Sequence, residues 1–135
     1  MTARDPFLGD LIFVYGTLRR GCAVNEATAA FHAGASFVTD GILTGRLYRL
    51  NWYPAFVENG PGEVLGEVWR IEKPGLMSIL DDYEGLGGSD SEEYARVKRS
   101  VRTPTGNLEA WVYLYLAPID PARQIVSGDW GDEGC

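Results

Sequence analysis

Leu11-Ile-Phe-Val-Tyr-Gly-Thr-Leu-Arg-Arg-Gly21 is a compact apolar run that breaks abruptly into a polar, glycine-punctuated loop. Five apolar or aromatic residues in succession, Leu11 to Tyr15, make a poor amphipathic helix but suit a central strand covered on both faces. Gly16 carries no Cβ, so the backbone can turn there or approach a ligand closely. Beyond it, Thr17, Leu18 and Gly21 leave main-chain N–H groups without a sheet partner, and converging N–H groups form a concavity suited to an anion. A strand that simply ends in a turn accounts for the same residues, and their chemistry does not choose between the two.

Outward from this stretch, Ala23 to Ala33 reads as a short helix, with Asn25 as its N-cap and Gly34 as its stop. Ala35 to Leu50 is rich in β-branched and aromatic residues with interior glycines, which predicts one long strand bent or bulged near Gly41 and Gly45. Trp52 to Val57 is a short extended piece, and the turn signal Gly60-Pro-Gly62 predicts a hairpin with Val64 to Ile71. Pro74 suits the first position of a helix running to Tyr83 or Glu84, with Leu76, Ile79, Leu80 and Tyr83 on one face and Gly85 beyond its end. Leu86 to Ser91 is a loop. Tyr94 to Val101 and Leu108 to Leu116 alternate as strands around the turn Thr103-Pro-Thr-Gly-Asn107. On the last strand Leu108, Ala110, Val112, Leu114 and Leu116 face one way, and Glu109, Trp111, Tyr113 and Tyr115 the other. The remaining residues, Pro118 to Cys135, read as a wrap and a tail. About six strands, two helices and frequent hairpins predict an α+β fold on a small mixed, strongly curved or barrel-like sheet.

The 135 residues fit one domain, 1–135 with its core over 10–130, and 45% hydrophobic content is that of an ordinary globular chain. Nineteen acids against twelve bases give a net charge of −7, which argues against nucleic acid or an anionic membrane as partner. The N-terminal residues lack the order of a signal peptide and no apolar run is long enough to span a bilayer, so a cytosolic protein is expected. Cys22 and Cys135 make a structural disulfide unexpected in that compartment. With His32 the only histidine, and no Cys-x-x-Cys or His-x-x-x-His spacing, no transition-metal site is expected. His32 itself reads as a surface or helix-end residue.

Leu80-Asp-Asp-Tyr-Glu-Gly85 carries an electrostatic conflict. Asp81, Asp82 and Glu84 crowd the last turn of a helix, where the macrodipole favours cations by roughly 0.3–1 kcal/mol each. Asp81 and Asp82 lie off the apolar face and read as solvated. Glu84 adjoins that face. Turned inward, its charged form would be disfavoured by burial and by the helix terminus, which suits a group that accepts and returns a proton near neutrality. An exposed glutamate before a C-cap glycine is the plain alternative.

Together, Val14-Tyr-Gly-Thr-Leu-Arg-Arg-Gly21, Gly45-Arg-Leu-Tyr-Arg-Leu50, Tyr53-Pro-Ala55, Leu80-Asp-Asp-Tyr-Glu-Gly85, Tyr94 to Val101, Ala110 to Tyr115 and Ser127-Gly-Asp-Trp130 resemble the gamma-glutamylcyclotransferase-like family in its compact form. The resemblance runs from Leu11 to Trp130, and the order and spacing of the fragments carry it. It implies a small mixed barrel with flanking helices and a cavity in which the loop Tyr15, Gly16, Thr17 and Leu18 binds the glutamyl end of a small-molecule substrate. It also implies that Glu84 is the catalytic acid/base. The expected reaction joins the α-amine of a γ-glutamyl group to its own side-chain carbonyl, leaving 5-oxoproline and releasing an amine or amino acid, with no cofactor.

Main-chain N–H groups near Gly16 to Leu18 are then the expected holders of the α-carboxylate. The aromatic face of the last strand is the expected cavity wall, with Tyr113 chosen over Tyr115 as a contact. Arg19 and Arg20 invite reading as a carboxylate clamp, although adjacent loop cations are more often solvated. A monomer is expected. The competing function is a non-catalytic module that captures glutamyl or other acidic metabolites.

Overall fold

In a computed structural model of the chain, residues 7–16, 18–20, 26–50, 53–58, 61–83, 94–116 and 119–130 are described. The opening apolar run forms β1 (Leu11–Val14) and splits its side chains between two cores. Ile12 and Val14 join one cluster while Phe13 and Tyr15 join another, each residue less than a tenth exposed. Burying one such side chain contributes about 1.5–3 kcal/mol, so a strand of four residues is held from both sides.

The elements that follow are α1 (Glu26–Gly34), β2 (Ala35–Thr44), β3 (Arg46–Leu50), β4 (Tyr53–Val57), β5 (Glu63–Ile71), α2 (Leu76–Tyr83), β6 (Tyr94–Thr103) and β7 (Gly106–Tyr115). Five strands close a barrel in the order β1, β5, β2, β6, β7. Its ladders are antiparallel except the closure of β1 on β7, which is parallel at Ile12 and Trp111, so the sheet is mixed. The inner cluster fills this barrel with Phe13, Val64, Val68, Val101, Ala110 and Val112. The outer cluster lies under the helices and joins Phe31, Leu76, Met77 and Leu80 to Ile12, Val14, Trp69 and Tyr113. The expected α+β class and curved, barrel-like mixed sheet are therefore what the chain adopts.

Several element boundaries differ from the sequence reading. Ala35 to Leu50 is two strands in two sheets, because the chain turns at Gly45, where φ is +150° and a Cβ would stand 2.5 Å from Phe56 Cε1. The bulge within β2 falls between Phe37 and Thr39, not at Gly41. β4 pairs with β3 in a separate two-stranded ribbon, and β5 pairs with β1 and β2 in the barrel, so the expected hairpin between Trp52–Val57 and Val64–Ile71 does not form. That makes seven strands among the described residues. Helix α1 runs through Gly34 directly into β2 instead of stopping before it, and the Gly34 carbonyl accepts from the N–H groups of Glu72 and Lys73. Its expected N-cap, Asn25, lies outside the described residues.

Helix α2 begins at Leu76, because Pro74 and Gly75 form a turn whose Gly75 carbonyl accepts from Ile79 N–H. Its buried face is Leu76, Met77 and Leu80, and Ile79 is exposed. On β7, Ala110 and Val112 point into the barrel and Tyr113 and Tyr115 are buried on the outside, as the alternation required. Leu116, beyond the strand, is exposed. The chain after Ile119 closes over the barrel and the β3–β4 ribbon. Ile125 N–H donates to Leu47, the Gly128 carbonyl accepts from Leu65, and Trp130 is buried in the inner cluster.

Candidate active site

The loop that follows β1 is held between the β3–β4 ribbon, α2 and β7. Tyr15 turns inward beside Phe13 and Phe56, with ring centroids 6.4 and 5.9 Å away, and its hydroxyl donates to the Tyr113 carbonyl at 2.6 Å. Gly16 lies against Pro54 so closely that a Cβ there would come within 2.6 Å of Pro54 Cγ, which is the close approach that glycine permits. Arg19 N–H then donates to the Gly16 carbonyl at 3.1 Å and tightens the loop into a turn. Leu18 is buried in the outer cluster with Tyr48, Ala55, Met77, Leu80 and Tyr113. No hydrogen bond from the Leu18 N–H is seen among the described residues.

β7 brings Tyr113 and Tyr115 to the same layer. The Tyr113 hydroxyl stands 3.8 Å from Met77 Sδ on α2, and Tyr115 meets Tyr94 edge-on with centroids 5.0 Å apart. Tyr94 in turn donates to the Pro54 carbonyl at 3.0 Å, which fastens the ribbon to the barrel above the loop. The structure thus places Leu18 and Tyr113 in the outer cluster, with Tyr15 reaching the Tyr113 carbonyl from the inner one and Gly16 against Pro54. Thr17 and Glu84 lie outside the described residues, as do Trp52 and the loop Leu86 to Ser91. In sequence Glu84 directly follows Tyr83, the last residue of α2, and at 1.5 Å per residue Tyr83 is about 9 Å along the helix from Met77.

Arg19 and Arg20 do not form a free clamp. Arg19 Nη1 binds Asp129 at 2.9 Å, with its side chain only 13% exposed. Arg20 directs Nε to Glu67 Oε2 at 3.1 Å and stacks its guanidinium 3.5 Å over the Phe37 ring. An open cleft of about 570 Å³ lies beside these arginines, lined by Asp40, Leu65, Glu67, Arg102 and Asp129, but among the described residues none of Tyr15, Gly16, Leu18 and Tyr113 borders it. Its charges already pair with one another or with neighbouring side chains.

Three contributors escaped the sequence reading. Pro54 and Met77 give no chemical signal of their own. Glu67 does give one, because a carboxylate in the apolar run Val64 to Ile71 must be paired or leave the strand's covered face. Among the described residues no cluster of three or more His, Cys, Asp or Glu could hold a metal ion, and no helix is long and apolar enough to cross a membrane.

The sequence profile of the family described as gamma-glutamyl cyclotransferase, AIG2-like, matches residues 12–132. The chain belongs to this family. A similar protein is the gamma-glutamylcyclotransferase family protein YtfP of Escherichia coli (strain K12). The two are 39% identical over 122 residues, which span 90% of this chain and 96% of that protein. The solution structure of Escherichia coli YtfP superposes with a TM-score of 0.64 at 37% identity, covering 91% of this chain and 97% of the other. An AIG2-like protein from mouse, 24% identical, superposes with a TM-score of 0.71 over 94% of this chain and 91% of its own, and shows the same fold.

Proposed function

We propose that the chain is a γ-glutamylcyclotransferase-type enzyme that converts a γ-glutamyl amide into 5-oxoproline and releases an amine or amino acid. The observation that supports this reading is the chain after β1, where Leu18 packs with Tyr113 and Met77 and the Tyr15 hydroxyl binds the Tyr113 carbonyl, in a family named for the reaction. Main-chain N–H groups of the loop hold the α-carboxylate of the glutamyl end, and Tyr113 walls the cavity. Glu84, which follows Tyr83 of α2 in the sequence, moves the protons.

The nucleophile and the electrophile belong to one substrate. The α-amine nitrogen attacks the side-chain amide carbonyl, a C–N bond forms to close the five-membered ring, and the bond to the leaving nitrogen breaks. Glu84 takes the proton lost by the attacking nitrogen and returns it to the departing one, so the carboxylate is regenerated and nothing is oxidised or reduced. Folding the glutamyl chain into its ring-closing approach is the larger part of the task, since holding reacting groups in place is worth several kcal/mol of barrier, about 7–11 in the best cases. Glu84 adds a further factor of about 10²–10⁴. The whole chain acts in this reading as one cofactor-independent domain, a monomer of the cytosol working on a small molecule.

The test is a mass-spectrometric screen of γ-glutamyl peptides and γ-glutamyl amines. The expected result is 5-oxoproline in equal amount to the released amine for at least one class. Calorimetric binding of these compounds with no product would make the chain a binding module instead and overturn the catalytic reading.

A further inference from the structure

We propose that His32 and Glu67 are positioning residues that set the geometry of the substrate loop, each fixing a different peptide group just beyond Gly16. This rests on the reading that the loop binds the glutamyl end. His32 Nε2 lies 2.7 Å from the Leu18 carbonyl oxygen. A carbonyl only accepts, so the imidazole carries its proton on Nε2 and donates. Glu67, 7% exposed on β5, accepts from Arg20 N–H at 2.9 Å and from Trp69 Nε1 at 3.1 Å on one oxygen, and from Arg20 Nε at 3.1 Å on the other. With Arg19 N–H tied to Gly16, the peptide between Leu18 and Arg19 is held at both its oxygen and its nitrogen. The next peptide, between Arg19 and Arg20, is held at its nitrogen.

One indole supports both clamps. The Trp69 ring stacks on His32 with centroids 4.9 Å apart and planes 18° from parallel, and its Nε1 is the group that fixes Glu67. Trp69 sits on a central barrel strand and is itself buried against Phe31 and Phe37. The loop is therefore referenced to the barrel wall through β5 and to α1 through His32. A buried carboxylate is a poor device for stability alone, because its desolvation offsets most of what its partners return. It is a good device for choosing one backbone conformation, and an anion-holding loop needs that, because its N–H groups must converge before the ligand arrives. Losing a clamp should weaken substrate capture more than the proton chemistry.

Two arms test the proposal. In the first, His32→Phe keeps the stack on Trp69 and removes the donor, and His32→Gln restores a donor at similar reach. The expected result is a KM for a γ-glutamyl substrate raised about tenfold in His32→Phe with kcat within about twofold, and largely recovered in His32→Gln. Glu67→Gln, which keeps the shape and one acceptor, should raise KM less than Glu67→Ala. A lower melting temperature with unchanged KM would mean a purely structural role and overturn the proposal.

The second arm needs no activity. Amide hydrogen exchange on the ligand-free protein should show Arg19 and Arg20 losing about tenfold protection in His32→Phe and Glu67→Gln, with β5 and α2 unchanged. Unaltered protection in the loop would overturn the proposal. If the wild-type chain makes no 5-oxoproline, the enzymatic reading fails on that result, and the exchange arm still decides whether His32 and Glu67 set the loop.

Discussion

The Tyr15 hydroxyl donates to the main-chain carbonyl of Tyr113 across 2.6 Å, joining the residue after β1 to the strand whose outer face carries Tyr113 and Tyr115. Both residues are buried, so the bond is shielded from water and relates the loop's start to the position of the Tyr113 ring. Tyr15→Phe keeps the ring among Phe13 and Phe56 and deletes only the donor. The expected cost is about 1–2 kcal/mol, read as a lower urea midpoint with an unchanged slope. A changed slope would mean that the compactness of the native or denatured state had itself changed.

Gly16→Ala tests the contact with the ribbon. The new Cβ would stand 2.6 Å from Pro54 Cγ and 3.2 Å from Cδ, and a proline ring has little freedom to swing away. Either the loop or β4 must move, and misplacing a binding group by about 1 Å can cost about 10²-fold in rate. The expected result is a folded variant with kcat/KM for 5-oxoproline formation down by about that factor. Wild-type kcat/KM in the folded variant would remove Gly16 from the loop's binding role.

What the sequence disclosed follows from the range of each interaction. The double burial of β1 was legible because five apolar residues in a row leave no other face to cover, and the tyrosines of β7 were legible because strand alternation is local. The glycine at 45 marked where the chain changes course, but not that its continuation leaves the barrel for a second sheet. That outcome depends on which strand pairs with which, and pairing is set by contacts between distant residues. The periodicity of α2 assigned Ile79 to its core face, but tertiary packing chose Met77, which meets Tyr113 36 residues away. His32 read as a surface or helix-end residue because its acceptor is 14 residues distant, and Glu67 went unremarked because its partner Arg20 is 47 residues away.

Gly45→Ala probes that course change. The residue has φ +150°, and a Cβ would meet Phe56 Cε1 at 2.5 Å and the Val57 carbonyl oxygen at 2.9 Å. Phe56 is fully buried, so its ring has no free space to enter. Overpacking of this kind costs about 1–3 kcal/mol, before any backbone strain. Denaturation should show a loss in that range. Because the ribbon also carries Pro54 to the loop, kcat/KM should fall together with stability. Full stability in the variant would show that the ribbon can shift without cost, and the rigid placement of Pro54 would have to be given up.

Glu84→Gln addresses the proton chemistry itself. Glutamine matches the carboxylate in shape and still accepts and donates hydrogen bonds, so γ-glutamyl ligands should continue to bind by calorimetry. It does not take a proton from an amine near neutrality, so kcat should fall by about 10²–10⁴, equivalent to roughly 3–5 kcal/mol of barrier. The sign of the pH dependence follows from the role. A base must be ionised to act, so wild-type kcat/KM should fall on the acid side as the carboxylate protonates, and that limb should vanish from the residual activity of the variant. The two measurements separate a base from a binding group: loss of a binding contact raises KM and leaves the acid limb, while loss of the base lowers kcat and removes it. Wild-type turnover in folded Glu84→Gln would move the proton transfer to another residue, and the search would begin among Tyr113, Tyr115 and Tyr94, which share the outer cluster with Leu18 of the loop.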